Sequence, residues 1–242
     1  MNDSLPGKRY QVPRRYLVLL LAPLLLALPL VAAAQTSASL EPRVRIETAA
    51  GDFVVQLDTV RAPITAENFL RYVREGHYDG LIVHRVVPNF VVQTGGYDAK
   101  YAERPTRAAI PNESGNGLSN RRGSIGMARG ESPHSATSQF YVNLKDNPGL
   151  NPLPSRWGYA VFGEVVEGME VIDRIAYVPT GERGPFGTDA PLEAILVKRA
   201  WIIGEARAAP AAPPAPPVPD ADPAAEDGGT QQPAGSTIDP QP

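Results

Sequence analysis

Val83-His84-Arg85-Val86-Val87-Pro88-Asn89-Phe90-Val91-Val92-Gln93-Thr94-Gly95-Gly96 places an arginine inside an apolar run, and the reading of the chain turns on that arginine. A guanidinium in such a strand is costly unless it finds acceptors or reaches a solvent-facing cleft. Side chains alternate along a strand, so His84 points to the face opposite Arg85 and reads as a packed or capped histidine. Phe90, Val91 and Gln93 stand within eight residues of Arg85, giving an apolar surface with polar neighbours.

Outward from this stretch the chain alternates short apolar runs with turns. Val44-Arg45-Ile46-Glu47 and Phe53-Val54-Val55-Gln56-Leu57 flank Ala49-Ala50-Gly51-Asp52, a hairpin signature. Pro63–Gly76 reads as a helix: Thr65 caps its start, Glu67 suits the positive end, Phe69, Leu70 and Val73 form one apolar face, and Gly76 stops it. Strand-like runs follow at Leu81–Val87, Phe90–Gln93, Ser124–Ala128, Gln139–Leu144, Tyr159–Val166 and Ile195–Ile203. A second short helix covers Met169–Ala176. Many short strands with a helix near each end predict a mainly β fold, a closed antiparallel barrel of about eight strands capped by two α-helices. Long Gly/Pro/Asn-rich connections at Thr94–Arg122 and Asn147–Arg156 are expected to wall a surface groove.

The two ends of the 242-residue chain differ from this core. Residues 1–34 carry a basic stretch ending at Arg14-Arg15, an apolar run from Leu17 to Val31, then Ala32-Ala33-Ala34 before Gln35. That order is the anatomy of a secretory signal peptide. An uncleaved anchor is the competing reading, but Pro23 and Pro29 interrupt the run and the small-residue site favours cleavage. Export, to the periplasm, is expected, with no stable membrane association after cleavage. Residues 206–242 form a Pro/Ala-rich acidic tail with runs such as Pro213-Pro214-Ala215-Pro216-Pro217, a composition that cannot build a core. Residues 35–205 are left as one compact domain.

Composition removes several chemistries. The formal net charge is −3; the signal is basic and the tail acidic, so no basic field is left on the core to hold nucleic acid. With no cysteine there is no thiol nucleophile and no Cys-ligated metal. His77, His84 and His134 fit no zinc spacing. A serine-hydrolase reading through Ser124 or Ser138 fails because Gly123-Ser124-Ile125-Gly126 lacks the nucleophile elbow.

Two further stretches complete the pattern: Gly123-Ser124-Ile125-Gly126-Met127-Ala128-Arg129, leading to Ser138-Gln139-Phe140-Tyr141-Val142, and Trp157-Gly158-Tyr159-Ala160-Val161-Phe162-Gly163. With the Arg85 stretch they resemble the cyclophilin family of peptidyl-prolyl cis/trans isomerases, most closely its bacterial periplasmic members, from about Val44 to Ile203. The resemblance implies Arg85 as the main catalytic residue. It implies substrate contacts from Phe90, Val91 (methionine in most members), Gln93, Met127, Ala128, Arg129 (often asparagine), Gln139, Tyr141 (usually phenylalanine), Leu150 and Tyr159. The tryptophan through which many members bind cyclosporin falls on Gly149, so cyclosporin binding is expected to be weak. The implied partners are Pro-containing unfolded or extended segments, and no cofactor is implied.

These residue types suit the reaction. Rotation about X–Pro crosses a barrier of about 18–20 kcal/mol that is largely lost amide resonance. No bond to a leaving group breaks, so neither nucleophile nor metal is needed. An apolar pocket for the ring, donors for the flanking backbone and positive charge near the proline nitrogen would all help. The rival reading is a non-catalytic proline-binding or chaperone-like module, from which a transition-state donor could be missing.

Overall fold

The computed structural model describes residues 41–205; the expected signal peptide and the acidic tail lie outside them. Strands β1 (Arg43–Thr48) and β2 (Gly51–Leu57) form the expected hairpin, with Val44 opposite Val55 and Ile46 opposite Phe53. Thr48 closes its turn by donating from Oγ1 to the Gly51 carbonyl at 2.6 Å. Helix α1 (Pro63–Arg74) follows, then β3 (Ile82–Val83), β4 (Arg85–Val87) and β5 (Val91–Thr94). After a long connection come β6 (Ser124–Met127), β7 (Phe140–Asn143) and a 3-10 turn at Pro148–Leu150. Next are β8 (Val161–Glu167) and α2 (Met169–Ala176). Strands β9 (Thr180–Arg183), β10 (Phe186–Pro191) and β11 (Ile195–Ile202) complete the described chain.

Nine strands make one antiparallel sheet in the order β3-β11-β1-β2-β8-β6-β7-β5-β4. Its two outer members, β3 and β4, are separated in sequence only by His84. The sheet therefore curls until its edges are nearly joined through one residue, and few strand edges are left bare. The inward side chains and the buried faces of α1 and α2 share one core, including Ile46, Val55, Phe69, Val86, Val92, Ile125, Met127, Phe140, Val142 and Ile172. At its centre Phe69 packs against Tyr78 and Phe140, each at 5.2 Å between ring centroids, and against Phe162 at 5.4 Å.

Three local expectations need correction. The apolar run Leu81–Val87 is two strands, because the chain turns from one sheet edge to the other at His84. Thr65 does not cap α1 from its own side chain: the N-cap position is Ala62. The carboxylate of Glu113, from the long connection, instead accepts from the backbone N–H of Ile64 and Thr65 at 3.1 and 2.7 Å and from Thr65 Oγ1 at 2.6 Å. An anionic group at the positive helix end does the same work from a distance in sequence. The hairpin β9–β10 was not expected; it forms a separate two-stranded sheet.

Candidate active site

On the outer face of the barrel one row of residues crosses four adjacent strands. Arg85 on β4 is opposite Gln93 on β5, Gln93 is opposite Tyr141 on β7, and Tyr141 is opposite Gly126 on β6. Their neighbours Val86, Val92, Val142 and Ile125 all lie in the core, so strand alternation turns this row outward. Arg85 therefore reaches solvent on this face.

The row is tied laterally by hydrogen bonds. Arg85 donates from Nη1 to Gln93 Oε1 at 3.3 Å, and Gln93 Nε2 donates to Gln139 Oε1 at 2.9 Å. Arg85 Nε donates to Asp189 Oδ2 on β10, also at 3.3 Å. Roughly a third of the Arg85 side chain is exposed (34%), enough for a ligand to reach it. Nη2 makes no hydrogen bond within the described residues, and its N–H groups are free to meet an incoming acceptor.

Tyr141 lies flat across β6, and this depends on Gly126. A Cβ there would stand 2.8 Å from Tyr141 Cε2 and closer still to Cζ and Oη. The phenol donates to Asn120 Oδ1 at 2.7 Å, and burial pushes its pKa well up, so it stays a neutral donor. Beneath it an asparagine network joins the loops to the barrel. Asn143 Nδ2 donates to Asn120 Oδ1 and Ser124 Oγ at 3.2 and 2.9 Å. Asn120 Nδ2 donates to Asn151 Oδ1 at 3.0 Å. Asn147 Nδ2 donates to Asn143 Oδ1 at 2.8 Å and to the Phe90 carbonyl at 3.0 Å.

At the other end of the row Tyr159 meets Tyr141 edge-on at 6.1 Å. The Arg129 guanidinium lies 4.6 Å above the Tyr159 ring, a cation–π contact. Arg129 also donates to the carbonyls of Gly130 and Trp157 at 2.9 and 3.1 Å, locking both loops beside the face. Tyr159 N donates to the Leu150 carbonyl at 2.9 Å, and Ala128 N to the Gln139 carbonyl at 2.9 Å.

The structure thus brings Arg85, Gln93, Gln139, Tyr141, Tyr159 and Arg129 into one connected array, with Ala128 and Leu150 joined to it through the main chain. Phe90 is half-buried within the β4–β5 turn, its carbonyl fixed by Leu144 N at 2.9 Å as well as by Asn147. Val91 is buried on the same face as Gln93. Met127 departs from expectation. It follows Gly126 on β6, so alternation sends its side chain inward, where it is 1% exposed within the core; it lies behind the outward row and is not part of it. Gly149 has open space around the position a Cβ would take. His84 is buried as expected, stacked on Phe186 at 5.2 Å. Its pKa is lowered to about 4 by burial and then by the Arg85 charge, so the imidazole is neutral near pH 7.

Sequence reasoning missed Asp189, Asn120, Asn143 and Asn151. Asn143 was within reach, since it lies two residues after Tyr141 on one strand and must share its face. Asp189 carried no local signal, being 104 residues from its partner.

Comparison with known proteins agrees with this geometry. Residues 43–201 match the family described as cyclophilin type peptidyl-prolyl cis-trans isomerase/CLD. A peptidyl-prolyl cis-trans isomerase of Streptomyces antibioticus is 47% identical over 165 residues, 66% of this chain and 98% of that one. Peptidyl-prolyl cis-trans isomerase B of Escherichia coli is 44% identical over 158 residues, 64% of this chain and 96% of that one. A Cryptosporidium parvum cyclophilin type isomerase, crystallised in the presence of the dipeptide Ala-Pro, superposes with a TM-score of 0.56 at 25% identity, covering 67% of this chain and 99% of that one. Barrel, array and relatives agree: the chain belongs to the cyclophilin-type peptidyl-prolyl cis-trans isomerases.

Proposed function

We propose that this isomerase acts on X–Pro bonds of exported polypeptides and that Arg85 is its catalytic donor. The carrying observation is the held guanidinium: two of its nitrogens are tied to Gln93 and Asp189, while Nη2 has no hydrogen-bond partner among the described residues and the side chain is about a third exposed (34%). In the twisted amide the proline nitrogen regains its lone pair, and an N–H of Arg85 can donate to it or to the preceding carbonyl oxygen. The planar substrate offers no such lone pair, so donation to the nitrogen strengthens only at the transition state. Each tenfold of acceleration takes about 1.4 kcal/mol, and removing one preorganised donor typically loses about 10²–10³ in rate.

The remaining residues hold the peptide. Tyr141, Phe90, Leu150 and Val91 supply the apolar surface for the proline ring. Gln93, Gln139 and the main chain at Ala128-Arg129 supply polar contacts to the flanking backbone. Tyr159, braced by Arg129, forms the groove edge. The substrates are Pro-containing unfolded or extended segments, a class supported by the Ala-Pro dipeptide used with the Cryptosporidium parvum relative. Because no bond is broken, the mechanism calls for no cofactor.

Arg85→Lys separates geometry from charge. Lysine keeps the charge but loses the planar fork, so it should recover little of the activity lost in Arg85→Ala; recovery to parental rate would contradict the role given to the fork. The export reading rests on the order basic stretch, Leu17–Val31, Ala32-Ala33-Ala34. A mature periplasmic protein starting at Gln35 is expected on N-terminal sequencing, and a full-length chain kept in the membrane fraction would overturn it.

A further inference from the structure

We propose that Asp189 is a positioning residue for Arg85, delivered by the hairpin β9–β10; the inference rests on the reading of Arg85 as the catalytic donor. An arginine side chain has four rotatable bonds, and one anchor leaves its plane free to swing. Gln93 alone holds Nη1. Asp189 Oδ2 holds Nε, at 3.3 Å like the Gln93 contact. Two anchors from different strands fix the plane of the fork and leave Nη2 without a partner among the described residues.

Asp189 is itself held. Its Oδ1 accepts from Thr188 Oγ1 at 3.0 Å. The hairpin is pinned beside β4 by Phe186, which stacks on buried His84 at 5.2 Å and meets Tyr97 edge-on at 4.9 Å. The residue beside Arg85 in sequence thus docks the hairpin that carries the counter-ion of Arg85.

Two opposing effects decide the sign. A carboxylate beside the guanidinium partly offsets the positive charge available to the twisted amide, whereas fixing the fork saves the loss of side-chain freedom at the moment of reaction. About a third of each partner is exposed (34% and 38%), so solvent screens the charge effect, while the geometric constraint is unaffected by screening. Positioning should therefore prevail.

The test uses the whole chain with a Pro-containing peptide at saturating and limiting concentrations. Asp189→Ala should lower kcat about five- to tenfold, less than the full value of a hydrogen bond to a charged group because the pair is partly exposed, with KM within about twofold. Asp189→Asn keeps an acceptor oxygen of the same reach and should restore part of that kcat. The thermal midpoint should stay near the parental value in both, because exposed ion pairs add little stability. The Arg85 Nε–H resonance should lose its protection from exchange in Asp189→Ala. A kcat in Asp189→Ala equal to or above the parent, or an equal loss in Asp189→Asn and Asp189→Ala, would overturn the positioning role while Arg85→Ala remains inactive. Parental kcat in Arg85→Ala would instead overturn the reading of Arg85, and this inference with it.

Discussion

Gly126→Ala is the smallest change that should disturb the groove. Gly126 has ordinary backbone angles, so alanine is not strained by its own conformation and would by itself gain roughly 0.5–1 kcal/mol from reduced freedom of the unfolded chain. The obstacle is Tyr141, whose Cε2 would sit 2.8 Å from the new Cβ, with Cζ and Oη nearer. The ring must lift, and such overpacking costs about 1–3 kcal/mol. Lifting also breaks the 2.7 Å bond from Tyr141 to Asn120, about 1 kcal/mol more. The net loss is about 2 kcal/mol, a fall in midpoint of roughly 4–8 °C for a domain of this size. Catalysis should fall too, since the displaced ring belongs to the surface proposed to grip proline. The assay is thermal unfolding followed by circular dichroism, beside kcat/KM. Tyr141→Phe removes the Oη half of the clash, so Gly126→Ala/Tyr141→Phe should be less damaged than the two single losses added together. An unchanged midpoint and kcat/KM in Gly126→Ala, or strictly additive losses in the double variant, would refute the reasoning.

Acid should destabilise the domain through buried His84 and half-buried His77. His84 and His77 have pKa values lowered to about 4, chiefly by burial, against about 6.5 in the unfolded chain. Between those values the unfolded chain binds protons that the folded one excludes, so stability is full above about pH 6.5 and is lost as pH falls toward 4. His84 contributes on the order of 3 kcal/mol to this loss, and half-buried His77, screened by solvent, contributes less. His84→Phe, which keeps a ring against Phe186, should remove the larger part of the slope of unfolding free energy with pH; an unaltered slope would contradict the assignment. Cyclosporin should inhibit only weakly. Gly149→Trp, entering open space, should tighten it by about tenfold or more, as a buried tryptophan contact would. Submicromolar inhibition of the parent would contradict this.

Much of the barrel was readable because its code is local. Val44 and Ile46 alternate with Arg45 and Glu47, and the apolar faces of α1 and α2 repeat at helical spacing, so burial follows from position in the chain. The site row was readable for a related reason: Gln93 and Tyr141 face outward whenever Val92 and Phe140 face inward. The failures share one cause, contacts between residues far apart in sequence. Glu113 caps α1 across some fifty positions, and nothing near Thr65 announces it. The hairpin β9–β10 reads Thr-Gly-Glu-Arg and then Phe-Gly-Thr-Asp-Ala-Pro, with little apolar alternation; it gains its place by docking Phe186 on His84 and not by intrinsic strand preference. The resemblance makes Met127 a substrate contact, although the alternation that turns Gly126 outward already sends Met127 into the core.

The measurement closest to the central claim is the rate of cis–trans exchange in an X–Pro peptide, by magnetisation transfer, for the parent and for Arg85→Ala, together with peptide affinity for both. The account predicts fast exchange in the parent, a loss of about 10²–10³ in Arg85→Ala, and affinity changed only a few-fold, because the donor acts on the twisted amide and not on the ground state. Exchange in Arg85→Ala as fast as in the parent would contradict it.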